Sequence, residues 1–217
     1  MSQQAEHEEI KKKILTTGIR VGTEVKTKFM IPYITQANPE GLYLLDLDIT
    51  LDRIQTAAKF IKKFDIKKVI VYSGRSYATT PIKKFCELTG AEKMLGRFMP
   101  GTLTNPALPY YSEPKLIVVS DPQVDAQAIT EATNAGIPII GIANTDNVTS
   151  ELDLVIPANN RGRKSLATIY WLLASEILQD SKAMKYEIED FETKTAEVEE
   201  ELSVSYTHLT LPTIYSV

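Results

Sequence analysis

Lys115-Leu116-Ile117-Val118-Val119-Ser120-Asp121-Pro122-Gln123 reads as a strand that turns directly into a helix. Four successive apolar residues leave no polar face, the pattern of a strand covered on both sides. Ser120 and Asp121 ahead of Pro122 are helix-starting residues, and Asp121 is expected to cap the helix through Ala126, Ile129 and Ala132, which stops near Gly136. The same unit recurs in both directions. Downstream, Ile137-Pro138-Ile139-Ile140-Gly141-Ile142 and Leu154-Val155-Ile156 are strands, and a helix from Arg163 to Leu178 carries Leu166, Ile169, Tyr170, Leu173 and Ile177 on one face. Upstream, Val69-Ile70-Val71-Tyr72 leads through Ser73-Gly74-Arg75-Ser76 to a helix starting at Thr79 or Thr80, with Pro81 near its first position and Gly90 past its end. Ala91 to Leu95 is a possible short strand. Further back, Leu42 to Asp46 reads as the first buried strand, and Thr50 as N-cap of a helix with Leu51, Ile54, Ala57, Ala58, Ile61 and Phe64 aligned. Glu24 to Ile34 reads as extended, bases on one side and apolar groups on the other. Strands alternating with amphipathic helices predict a three-layer α/β/α sandwich on a parallel sheet of about five strands. Its functional edge is expected at the carboxyl ends of the strands.

The chain has 217 residues, 43% of them hydrophobic, enough for one well-buried domain at 16–180. It is preceded by an arm at 1–15, a short helix or disordered, and followed by an acidic tail at 181–202, a solvated helix or disordered extension. Residues 203–217 are a further segment. Leu202 to Val217 holds no charge, and Val204 to Thr213 resembles the translation of a transposon adapter, so this end is expected to be a sequencing artefact or disordered. No run reaches the roughly 18 apolar residues of a membrane span, and the polar start lacks a signal-peptide core. One cysteine, Cys86, excludes an intramolecular disulfide framework and suits a reducing, cytoplasmic setting. With only His7 and His208 besides, no metal site is expected. The net charge of −4 conceals an asymmetry: residues 180–201 hold nine acids and three bases, a net −6, so the remainder carries +2. Residues 53–97 hold eleven bases against three acids.

Candidates for chemistry are few. Ser73-Gly74-Arg75-Ser76 follows a strand and opens a helix, where backbone amides and a bidentate Arg75 suit a phosphate. It is neither a P-loop nor a dinucleotide fingerprint. Asp46 and Asp48 are expected to cap the following helix. Cys86 lies within an amphipathic helix, and no nucleophile–base pair is recognisable. Gly96-Arg97-Phe98-Met99-Pro100-Gly101-Thr102-Leu103-Thr104-Asn105-Pro106 has neither helical nor strand periodicity, and two Gly and two Pro fix an irregular backbone. Arg97 and Phe98 in it read as groups that meet an outside partner or, alternatively, as part of a structural crossover. The basic residues Lys11, Lys12, Lys13, Arg20, Lys26, Lys28, Arg75, Lys83, Lys84, Arg97, Arg161, Arg163 and Lys164 fall mostly at loops and helix starts, positions suited to the phosphates of a folded RNA. Arg161, Arg163 and Lys164 face the positive end of a helix dipole, which costs stability unless an anion sits there.

Four motifs in order resemble the small-subunit ribosomal protein S2 family in its archaeal/eukaryotic branch. They are the 96–106 loop; Ser120-Asp121-Pro122 with Glu131-Ala132; Gly136-Ile137-Pro138-Ile139-Ile140 leading to Asn144-Thr145-Asp146-Asn147; and Ile156-Pro157-Ala158-Asn159-Asn160-Arg161-Gly162-Arg163-Lys164-Ser165. The resemblance covers roughly residues 10–180 and implies a flavodoxin-like sheet, no enzymatic activity, no cofactor, and binding to small-subunit ribosomal RNA and neighbouring ribosomal proteins. No membrane and no small-molecule substrate is expected. Glu24 stands where bacterial relatives have a histidine, and Asn144 where an aspartate is common. Two readings from other classes compete: a phosphosugar- or nucleotide-binding enzyme using Ser73–Ser76 and Asp121, and an adaptor docking a basic partner on its acidic tail. A pocket at the carboxyl ends of the strands would favour the enzyme, a broad basic face the RNA binder.

Overall fold

The computed structural model describes residues 13–178 and 187–193. Its strands are β1 (Ile34–Ala37), β2 (Tyr43–Leu45), β3 (Val69–Ser73), β4 (Glu92–Leu95), β5 (Leu116–Val119), β6 (Ile139–Ala143) and β7 (Leu154–Pro157). Its longer helices are α1 (Leu47–Ile61), α2 (Thr79–Thr89), α3 (Ala126–Ala135) and α4 (Arg163–Leu178). β3 to β7 form one parallel sheet in the order β4-β3-β5-β6-β7, the flavodoxin-like sequence in which the first sheet strand lies second from one edge.

The three layers follow from the side-chain alternation of the strands. Val69, Val71, Leu116, Val118, Ile140 and Ile142 face α1, α2 and α4, while Ile70, Tyr72, Ile117, Val119 and Ile139 face α3. On the first side α4 packs against both α1 and α2, so nearly all of its first two turns are buried, wider than the single stripe its sequence suggests. Tyr170 sits in that packing, its ring 5.7 Å from that of Phe85, and its hydroxyl shares a 2.7 Å hydrogen bond with Ser120. Helix α3 closes on Gly136 in the left-handed region, φ +68°, where a Cβ would be strained.

Several sequence expectations change. Leu42 to Asp46 is not a strand of the main sheet: β2 pairs antiparallel with β1 as a separate hairpin. Of its apolar run Leu45 alone is fully buried, packing with Met30 and Ala143. Residues 24–33 are irregular rather than extended strand, with a turn at 28–30 leading into a 3-10 turn at Ile31–Tyr33, where Pro32 sets the backbone. Helix α1 is capped by Asp46, which accepts from the Asp48 and Ile49 amides at 2.9 and 3.4 Å. Thr50 is buried, and its hydroxyl donates to the carbonyls of Asp46 and Pro157.

Part of the acidic tail joins the domain. The 3-10 turn Ile188–Phe191 buries Phe191 completely beside α2 and α4, and the Thr193 hydroxyl donates to the Tyr77 carbonyl at 2.9 Å. Burying one such ring stabilises by about 1.5–3 kcal/mol, while the neighbouring Glu187, Glu189 and Asp190 stay exposed to solvent. The expected artefact at 203–217 and most of the arm at 1–15 lie outside the described residues.

Candidate nucleic-acid interface

In a sheet of this order the chain reverses direction between β3 and β5, and a crevice opens beyond their carboxyl ends. Here that crevice is filled from within. Arg75, immediately after β3, forms an ion pair with Asp121, immediately after β5. Asp121 is 1% exposed; its other oxygen accepts from the Gln123 amide at 2.9 Å and from Asn147 Nδ2 at 3.4 Å. Asp125 lies behind, accepting from the Gly74 amide at 2.8 Å and the Asp121 amide at 3.1 Å. Burial, and then the neighbouring Asp121, push the Asp125 carboxyl up to about 7, against the pull of the backbone donors. The Gly74 amide that would cradle a phosphate is thus occupied by a carboxylate, and two acids line the place an anion would take. Asp121 does not cap α3, which begins four residues later than Pro122.

The ends of β6 and β7 are joined in the same manner. Asn147 Oδ1 accepts from the Asn144 amide at 2.7 Å and from Asn160 Nδ2 at 3.0 Å, and Asn160 also donates to the Ile142 carbonyl. Arg161 forms an ion pair with Asp146. Asn159 Oδ1 accepts from the Arg161 and Gly162 amides ahead of α4. An anion does therefore sit near the start of α4, but it is the chain's own Asp146. Residues 22–27 lie across this edge: Thr23 donates its amide to Thr145 Oγ1 at 2.9 Å, and Thr27 donates its hydroxyl to the Asn147 carbonyl at 2.8 Å. The approach is close enough that a Cβ on Gly22 would lie 2.5 Å from Thr145 Cγ2.

This architecture gathers most of the expected basic residues. Arg97 follows β4, Arg75 follows β3, and Arg161, Arg163 and Lys164 follow β7, while the 22–27 crossing brings in Arg20, Lys26 and Lys28. Arg97, Lys26, Lys28 and Lys164 are all exposed on it. Lys26 Nζ lies 4.8 Å from the centre of the Tyr43 ring, and Arg20 Nε donates to the Leu45 carbonyl. Lys83 and Lys84 stand apart, midway along α2, and Lys13 lies exposed on a helical turn beside buried Ile14. Lys11 and Lys12 are outside the described residues.

Phe98 is a correction. It is 6% exposed, packs edge-on to Tyr72 at 5.2 Å between ring centres, and covers the sheet beside α3. The loop is held there by buried Glu131, which accepts from the amides of Gly101 and Leu103 at 2.8 and 3.2 Å. It replaces a helix as the covering layer, so of these neighbours Arg97 and Met99 face outward. The residues that sequence reasoning missed are Asp125, Asn147 and Asn160; their partners lie 51, 26 and 18 positions away, beyond any local spacing.

The chain also forms an open cleft of about 500 Å³, lined by Leu103, Tyr111, Lys115, Asn134 and Pro138. It lies at the amino ends of β5 and β6, opposite to where a doubly wound enzyme binds its ligand. Cys86, buried in α2, has its thiol pushed up to about 12 by burial, so it is no nucleophile near neutrality. Fold and site together define a flavodoxin-like scaffold that presents a charged rim rather than a pocket. The sequence matches the family Ribosomal protein S2 over residues 14–108 and 109–180. It is 70% identical over 205 residues to small ribosomal subunit protein uS2 of Nitrosopumilus maritimus, covering 92% of this chain and 99% of that one. Its identity to the protein of the same name is 57% over 203 residues in Cenarchaeum symbiosum, covering 91% and 98% of the two chains. In Thermofilum pendens it is 54% over 165 residues, covering 76% and 77%. The chain belongs to the ribosomal protein S2 family, a structural component of the ribosome and not an enzyme.

Proposed function

We propose that this chain binds the ribosomal RNA of the small subunit, and the ribosomal proteins next to it, through the carboxyl rim of its sheet, working in the cytoplasm as a fixed part of the translating particle. The observation that carries this reading is the division of charge at that rim. The acids Asp121, Asp125 and Asp146 are turned into internal bonds, whereas Arg97, Lys26, Lys28 and Lys164 project to solvent. Cations projecting from a rigid edge suit a phosphate backbone read by shape. The acidic total charge is no obstacle, since nine of the acids fall within residues 180–201. Gradient sedimentation of tagged protein in lysate tests the proposal. Co-migration with small subunits at low salt, loosened as salt rises, is the expected result; migration only as free protein at every salt concentration would overturn it.

A further inference from the structure

We propose that the amino edge of the sheet, opposite the rim, is a second nucleic-acid surface. Lys62, Lys63, Lys67, Lys68 and Lys115 hold the phosphates of an unpaired stretch of ribosomal RNA, and one of its bases enters the cleft beside Tyr111. This rests on the reading above in one respect: the RNA is that of the small subunit.

Of the eleven bases within 53–97, the rim uses only Arg75 and Arg97. Five others, Lys59, Lys62, Lys63, Lys67 and Lys68, fall between the last turn of α1 and the start of β3, and all five are exposed. Lys115, exposed ahead of β5, joins them because its amide donates to the Lys68 carbonyl at 2.8 Å. None of the six forms an ion pair with a described residue. Lys62 and Lys63 suit the negative end of the α1 dipole, but Lys67, Lys68 and Lys115 have no such role. Two acids stand among these lysines, and both are engaged. Asp65 accepts from the Lys67 amide at 3.2 Å, and Glu113 accepts from the Tyr111 hydroxyl at 3.2 Å. The other acids of this edge lie to either side, Glu87 and Glu92 with Lys93 towards β4, and Glu151 and Asp153 ahead of β7.

The kind of partner follows from what accompanies the charge. Protein–protein interfaces are depleted in lysine and built on an apolar centre. Tyr110, 41% exposed, is the one large apolar residue exposed at this edge among the described residues. Lysines beside tyrosines instead match a phosphate chain whose bases stack on aromatic rings. The cleft of about 500 Å³ adjoins the patch, since Lys115 belongs to both. That volume falls in the range that holds small ligands, enough for one base with its sugar. Tyr111 and Pro138 give it apolar walls, and Asn134 stands at the end of α3, where a side-chain amide and the last helix carbonyls suit a base edge.

The test puts benzoylphenylalanine in place of Tyr110 in one full chain and of Met99, on the rim, in another. Small subunits carrying each are isolated and irradiated, and adducts are mapped on RNA by reverse transcription and on protein by mass spectrometry. Position 110 is expected to mark an unpaired nucleotide of ribosomal RNA at a site different from that marked by position 99. Lys67→Ala, Lys68→Ala and Lys115→Ala together are expected to lower the adduct at position 110 about fivefold and leave that at 99 unchanged. Adducts at 110 to a protein alone, none at all, or a yield indifferent to the triple substitution would overturn this inference, and the proposed function stands if position 99 still marks RNA. A chain that marks RNA from neither position, or that never co-sediments with small subunits, would remove both.

Discussion

At the scale of single residues, the place where a relative of this fold would hold a ligand is closed by Arg75, Asp121 and Asp125. Arg75 is therefore a structural residue. Its replacement by Ala would leave Asp121, 1% exposed, charged and unpaired, and is expected to cost about 3–5 kcal/mol in urea unfolding. Asp125 gives a second prediction. Its carboxyl is raised to about 7, above its value in the unfolded chain, so the folded state holds its proton more tightly. The stability this contributes is complete below about pH 4 and lost as pH rises through about 7. The melting midpoint of the free protein is expected to fall between pH 5 and 8 more steeply than that of Asp125→Asn. Equal slopes would place the titration elsewhere. None of this is legible in sequence, because Arg75 and Asp121 are 46 residues apart and each alone reads as a loop cation or a helix cap.

At the scale of elements, the legible parts are those whose pattern is set by one kind of burial. β3, β5 and β6 are apolar for most of their length and buried throughout, and α4 spans the residues its periodicity predicts. The hairpin departs from expectation because an apolar run reports burial without naming the neighbour that provides it. The loop after β4 departs for the same reason: Phe98 in an irregular segment looks unsatisfied until Tyr72 and Glu131 are placed beside it. Adjacent residues of that loop should therefore behave oppositely. Phe98→Ala is expected to cost about 3–5 kcal/mol of stability, and Arg97→Ala to change stability by no more than about 0.5 kcal/mol while weakening particle association at moderate salt. Equal effects on unfolding would show that the loop does not cover the sheet. Phe191→Ala, by the same reasoning, is expected to destabilise by about 3–5 kcal/mol although it lies in an acidic, polar stretch.

For the whole molecule, the rim should act collectively. Replacing Lys26, Lys28, Arg97 and Lys164 together by Ala is expected to reduce the salt dependence of association, with the fold intact by circular dichroism. The log–log slope should become shallower by about one unit for each phosphate no longer neutralised. Arg161→Ala should do less, since that side chain is engaged with Asp146. The bonds that bring the rim together also order events in time. Thr50 reaches Pro157 across 107 positions, Thr23 reaches Thr145 across 122, and Asn159 reaches Gly18 across 141. A chain made from its N-terminus completes these bonds only after β7 has been synthesised, on the order of 5–20 s after Thr50 at usual rates of elongation. Until then α1 has no α4 to lie against, and the basic segment at 20–28 has no floor. The N-terminal third of the protein is thus born as an unfinished surface, positively charged and partly apolar, and its last-made strand is what converts it into a rim.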